Sequence, residues 1–168
     1  MRSVIFMFVT MALLGGVAPA SDRCADAVKS HQFDFWIGEW EVTANGVVAG
    51  YNRIEPIMDG CALQENWQSV DGTSGVSLNY YDPRDDQWHQ YWLWQNGTTL
   101  PLLSGRFTDG KMLLSGKGKN GKGEMVHSRI TWTDNPDGTV RQLWEISKDS
   151  EKTWQVVFDG LYRKKPKE

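Results

Sequence analysis

GVSLNYYDPRDDQWHQYWLWQNG, residues 75–97, sets two strand-like runs around one turn. Gly75 to Tyr81 and Gln87 to Gln95 are rich in aromatic and β-forming residues, which suit a pleated, half-buried surface. Asp82-Pro83-Arg84-Asp85-Asp86 between them is turn chemistry. The second run stops at Asn96-Gly97, a pair that tolerates the positive φ of a tight hairpin. Alternate residues of a strand share a face. Trp88, Gln90, Trp92 and Trp94 therefore lie together, opposite His89, Tyr91 and Leu93. The tryptophan face is the more apolar and is expected to point inward. On the neighbouring run Ser77, Asn79 and Tyr81 share a face, and Tyr81 is close to Trp88 across the turn, so the two faces meet.

The same punctuation runs outward through the chain. Eight glycines directly follow Asn or Asp: Gly46, Gly60, Gly72, Gly97, Gly110, Gly121, Gly138 and Gly160. Lys148-Asp149-Ser150-Glu151 adds another break, and Asp159-Gly160, inside a strand-like run, reads as a bulge. Nine turns then separate ten strands, expected over 39–44, 47–58, 61–70, 73–81, 87–95, 98–108, 111–117, 124–133, 139–147 and 152–163. Only Ala25 to Ser30 reads as a short helix. Consecutive hairpin-linked strands must hide their edges, and closure into an antiparallel up-and-down barrel removes the edges altogether. No connection is long enough for the crossovers of a sandwich. A barrel of this size either fills its interior with side chains or encloses one small ligand.

The termini and composition set the compartment. Arg2, the apolar run Val4 to Val17 and Ala18-Pro19-Ala20 form a secretory signal expected to be cleaved after Ala20. The run is too short for a spanning helix, which needs about 20 residues. Ser21 to Glu168 is then one domain, with 17 basic and 21 acidic residues and a net charge of −4. The basic residues are scattered, which excludes a nucleic-acid stripe; the tail Arg163-Lys164-Lys165 reads as solvated. Export to the periplasm is expected, with no spanning segment after cleavage. In an oxidising compartment Cys24 and Cys61 most simply pair, closing a loop of about 37 residues worth roughly 3–4 kcal/mol in the chain-entropy model. A third ligand for a metal site at these cysteines is lacking.

HQFDFWIGEW, residues 31–40, resembles the FDFWxGxW opening of lipocalin-like, calycin-type barrels. Further pieces are similar to a group of secreted bacterial lipocalin-like domains of uncharacterised function. They are Gly60-Cys61, Ser77-x-Asn79-x-Tyr81-Asp82, Trp88-x-Gln90-x-Trp92, Arg129-Ile130-Thr131-Trp132, Arg141-Gln142-x-Trp144-Glu145 and Phe158-Asp159-Gly160-x-Tyr162. The resemblance covers about Phe33 to Arg163. It implies a barrel closed at one end by the segment before the first strand, and it implies no activity. Carriage of a small apolar molecule is the usual role of secreted lipocalins and follows by analogy only.

Two polar sets are candidate sites. Glu65, Trp67, Ser77, Asn79, Gln90, Trp92 and Trp94 converge if their faces point inward, giving aromatic walls with a few polar groups, as small-molecule pockets have. The bland alternative is a filled barrel in which indole N–H groups satisfy buried amides. The second set is Arg129, Arg141, Gln142 and Glu145, with Arg141 and Glu145 on one strand face. An inward Arg–Glu pair would orient a carboxylate; an exterior ion pair, worth little, is the favoured reading.

The leading expectation is a non-enzymatic barrel binding one small hydrophobic or amphipathic molecule, with no cofactor and no metal. An enzyme using Glu65 or Glu145 with Arg141, and a filled accessory domain, are the alternatives. No G-x-S-x-G elbow and no H-E-x-x-H occurs. His89 and His127 are conceivable haem ligands but read as structural. Thr133 to Gly138 fails as a calcium loop because Trp144 stands where the closing glutamate belongs. Ser147 to Trp154 resembles an Asp-box with Glu151 in the glycine position, and reads as a well-made turn. Oligomeric state is not legible from the sequence.

Overall fold

The computed structural model describes residues 27–165. The chain forms ten antiparallel strands in one closed barrel, each paired with its sequence neighbours and the first with the last. They are β1 (Gly38–Ala44), β2 (Val47–Ile57), β3 (Ala62–Ser69), β4 (Ser74–Asp82), β5 (Gln87–Trp94), β6 (Leu103–Thr108), β7 (Lys111–Lys119), β8 (Met125–Asp134), β9 (Val140–Ser147) and β10 (Gln155–Lys164). Closure comes from β1 against β10, with Val42 opposite Tyr162 and Trp40 opposite Lys164. The sheet is therefore without an edge, as its hairpin-linked strands require.

Alternation sorts the walls. Asn52 and Ile54 of β2, Leu63 and Glu65 of β3, Ser77 and Asn79 of β4, and Trp88, Gln90 and Trp92 of β5 are buried. Tyr51, Leu78, Tyr91 and Leu93, one step out of phase, are exposed. The described residues before β1 fold as two 3-10 turns, Val28–His31 and Asp34–Trp36. They stopper one end of the barrel. Phe33 stacks on Trp36 at 4.9 Å and meets Trp88 and Trp132 edge-on at 5.6 and 5.1 Å. Trp40 donates its indole N–H to the Trp36 carbonyl at 2.9 Å. Trp36, Trp88, Trp132, Met112 and Leu114 are all fully buried here. This cluster is the barrel's dry core, and burying such rings stabilises at roughly 25 cal/mol per Å².

Several expected boundaries change. The run 98–108 is a strand only from Leu103. Pro101 has no N–H to give a ladder, and residues 98–102 keep one isolated bridge, Leu93 to Thr99. The bulge lies between Val156 and Phe158, not at Asp159-Gly160, where pairing with β9 is regular. Gly160 instead leaves room for the Phe158 ring, which a Cβ would meet at 2.4 Å. In the turn from Asn120 the left-handed residue is Gly123, not Gly121, and Gly123 N–H donates to the Asn120 carbonyl at 2.9 Å. The last strand starts at Gln155 rather than 152 because the preceding turn is held to Thr153. The expected helix at 25–30 lies partly outside the described residues, and its described part is the first 3-10 turn. The signal segment 1–20 and Cys24 also lie outside the described residues.

Candidate ligand-binding cavity

The other half of the barrel is built differently. A cavity of about 250 Å³ opens among β2, β3, β5, β8, β9 and β10, away from the stopper. Its walls are Trp67, Trp92, Trp94, Trp144 and Phe158; its floor is Glu65, Gln90, Gln142 and Tyr162. Ser69 and Thr73 lie by the turn at its mouth. Two glycines make space for the rings. A Cβ on Gly50 would sit 2.6 Å from Trp67, and one on Gly75 would sit 2.3 Å from Trp92. Trp67 meets Phe158 edge-on at 6.2 Å, and Trp92 meets Trp94 edge-on at 4.8 Å.

A chain of hydrogen bonds runs beneath these rings across six strands. Gln90 donates to Asn79 at 2.9 Å, Asn79 to Ser77 at 2.8 Å and Ser77 to the Glu65 carboxyl at 2.6 Å. From the other side Asn52 donates to Glu65 at 2.7 Å and to the Tyr162 hydroxyl at 3.3 Å. Tyr162 in turn donates to Gln142. Register explains the assembly: Asn79 faces Gln90, Ser77 faces Glu65, and Glu65 faces Ile54, two pairs along from Asn52 on the same face. Glu65 is only 3 % exposed. Burial pushes its carboxyl up from an ordinary 4.5 to about 7, against the bonds from Ser77 and Asn52, which favour the charged form. Burial, and then the neighbouring Glu65, raise the Tyr162 phenol well above its ordinary value.

Of the first predicted set, Glu65, Trp67, Gln90, Trp92 and Trp94 line the cavity. Ser77 and Asn79 stand behind it as the middle of the hydrogen-bond chain. The second set splits. Gln142 is inside, on the floor. Arg129 bonds Glu145 at 2.7 Å and lies 4.0 Å over the Trp154 ring, while Arg141 makes a two-pronged pair with Asp159 at 2.8 and 2.7 Å. Arg141 and Glu145 alternate with the inward Gln142 and Trp144, so they lie on the outer wall. Arg141 and Glu65 sit on opposite faces of the sheet and cannot act on one substrate atom. His89 and His127, the two conceivable haem ligands, also face outward. His89 stacks on Tyr80 at 5.2 Å and contacts Ser104 at 2.9 Å, and His127 contacts Glu151 at 2.7 Å. Neither lines the cavity.

Sequence reasoning missed Asn52, Trp144, Phe158 and Tyr162. Asn52 carried a readable signal, because it shares a strand face with Gly50 and Ile54. The Asp-box-like stretch is the turn it was read as: Thr153 donates to Asp149 from its backbone at 2.9 Å and its hydroxyl at 2.6 Å. Those bonds hold Asp149 down at about 2.

The fold and cavity define a class: a closed ten-stranded antiparallel up-and-down barrel, consistent with a lipocalin-like barrel. No family model matches the chain, and no curated protein matches it.

Proposed function

We propose that this is an exported lipocalin-like binding protein that holds one small amphipathic molecule in the cavity. The observation that carries this is the pairing of an aromatic-walled space of about 250 Å³ with a buried polar floor. Small-molecule sites combine an apolar enclosure with a few placed polar groups. The floor is already bonded into its chain, so it is preorganised and its groups are not free to collapse inward. The FDFWxGxW opening supports the family reading, and the stopper it forms is what that resemblance implies. The leader 1–20 supports export, and export supports a Cys24–Cys61 bridge.

An accessory role with no small ligand has one observation in its favour. Val76, Leu78, Tyr91 and Leu93 form adjoining exposed apolar positions on the outer face of β4 and β5, and patches of this kind mark contact surfaces. Native mass spectrometry of the gently purified protein separates the two. A co-purifying molecule, released and weighed under denaturing conditions, is the expected result. A clean mass that no added amphiphile shifts, with a partner protein captured through Tyr91, would reject the cavity reading.

A further inference from the structure

The cavity lining contains six aromatic rings, Trp67, Trp92, Trp94, Trp144, Phe158 and Tyr162, and one carboxyl group, Glu65. Among the described residues no lysine, arginine or histidine lines it. Aromatic faces are electronegative and attract a cation within about 6 Å, most strongly for tryptophan and where water is excluded. Both Glu65 oxygens receive hydrogen bonds, from Asn52 and from Ser77. The carboxyl is thus set as an acceptor, which suits its anionic form. Among the described residues no basic side chain lines the cavity beside it, so its anion would stand unneutralised there.

We infer that the cavity takes an organic cation, an ammonium or quaternary ammonium group on a compact apolar body, with the charge toward Glu65 and the body among the tryptophans. This deepens the proposal above and rests on it. Benzene fills a cavity of about 150 Å³, so the space here suits about ten non-hydrogen atoms. An acceptor-bearing ligand is less well served. The indole N–H groups of Trp92 and Trp144 are buried without a partner, but so are those of Trp36 and Trp132 in the stoppered half, where the rings are packed solid. An unpartnered indole is a general feature of this barrel's interior and does not mark a ligand.

The groups meeting Glu65 or sharing its cavity come from every element packed there: Asn52, Ser77, Gln90, Gln142 and Tyr162. Only Tyr162 titrates, and its phenol stays neutral through the accessible range. Cation affinity should therefore follow the ionisation of Glu65 alone. It should rise between about pH 5.5 and about pH 8, with a proton released on binding below neutrality.

The test titrates tryptophan fluorescence of the purified protein with three probes: phenyltrimethylammonium, its neutral carbon isostere tert-butylbenzene, and 3-phenylpropanoate. At about pH 8 the cation should bind roughly tenfold or more tighter than the isostere, and the preference should shrink toward about pH 5.5. Glu65→Gln should sharply reduce the preference and remove its pH dependence while the isostere still binds. Should that variant not fold, the pH series on the unaltered protein decides. Equal or tighter binding of the isostere or the anion would overturn the cation assignment and leave a binding cavity in place. No binding by any probe would remove the cavity reading, and this inference with it.

Discussion

The two halves of this barrel solve the same problem in opposite ways. Around Phe33, Trp36 and Trp132 the interior is aromatic and full, because the residues just before β1 pack inside. Around Trp67, Trp92 and Trp144 the rings are as large but nothing is folded between them, and the floor is polar. A barrel of this size can fill its interior with side chains or leave room for one small ligand. The stopper fills one half, and the other stays available. What differs is therefore the filling: the chain's own residues in one half, and on the proposed reading a ligand in the other.

Truncations should expose that difference. Trp132→Ala removes a ring from a packed cluster and should cost about 3–5 kcal/mol in chemical denaturation. Trp92→Ala borders space that already exists. It should cost clearly less stability while enlarging the cavity and weakening ligand binding, and equal losses at the two sites would mean that the halves are packed alike.

Glu65 gives the next effect. Its folded pKa is raised, to about 7 from 4.5, so the folded state binds the extra proton. Stability from this group is fully present below about pH 4.5 and is lost as pH rises through about 7. The penalty above that range is on the order of 3 kcal/mol. Glu65→Gln should remove most of this slope and be the more stable form at about pH 8, less any hydrogen bond it fails to keep. A wild-type stability that does not fall between about pH 5 and about pH 8 would contradict a buried, uncompensated carboxyl.

Gly75→Ala should be milder, at about 1–3 kcal/mol. Its new Cβ would lie 2.3 Å from the Trp92 ring, and the ring has the cavity to retreat into. Weaker probe binding with a nearly intact fold is the expected result. The smallest effect belongs to the outer turn. Glu151 holds φ at 68°, and Glu151→Gly should raise stability by up to about 1 kcal/mol in thermal melts, offset slightly by the lost contact to His127.

The strand order was readable because Asn-Gly and Asp-Gly steps report a local requirement of the backbone. Asn45-Gly46 and Asp109-Gly110 do adopt positive φ at both residues. Alternation then placed Glu65, Gln90 and Trp92 correctly on inner faces. The errors arose where a tertiary contact outranked a local signal. Gly160 looked like a bulge but serves the Phe158 ring, and residues 98–102 looked like strand until Pro101 broke the ladder. Trp144, Phe158 and Tyr162 join the cavity because β10 closes onto β1 and carries its neighbour β9 with it. Closure of that kind links residues more than a hundred positions apart, as with Asn52 and Tyr162, and no short window contains it. Depth was also invisible: a sequence sets which way a tryptophan points, not how far it reaches.

One seam of the wall is much shorter than the others. β5 and β6 share three residue pairs, Trp88–Gly105, His89–Ser104 and Gln90–Leu103, whereas β7 and β8 share nine. Beyond those three rungs the chain from Gln95 to Leu102 is tied to β5 by the Leu93–Thr99 bridge and the backbone bonds of Trp94 to Thr98 and Leu100 to Trp92, and Leu100 from that stretch faces the cavity. In deuterium oxide the amides of this crossing, and then those of the three rungs, should be the first within the barrel wall to exchange. The seam with the fewest rungs thus stands beside the cavity, so local opening of the wall is expected to begin where the proposed ligand would enter.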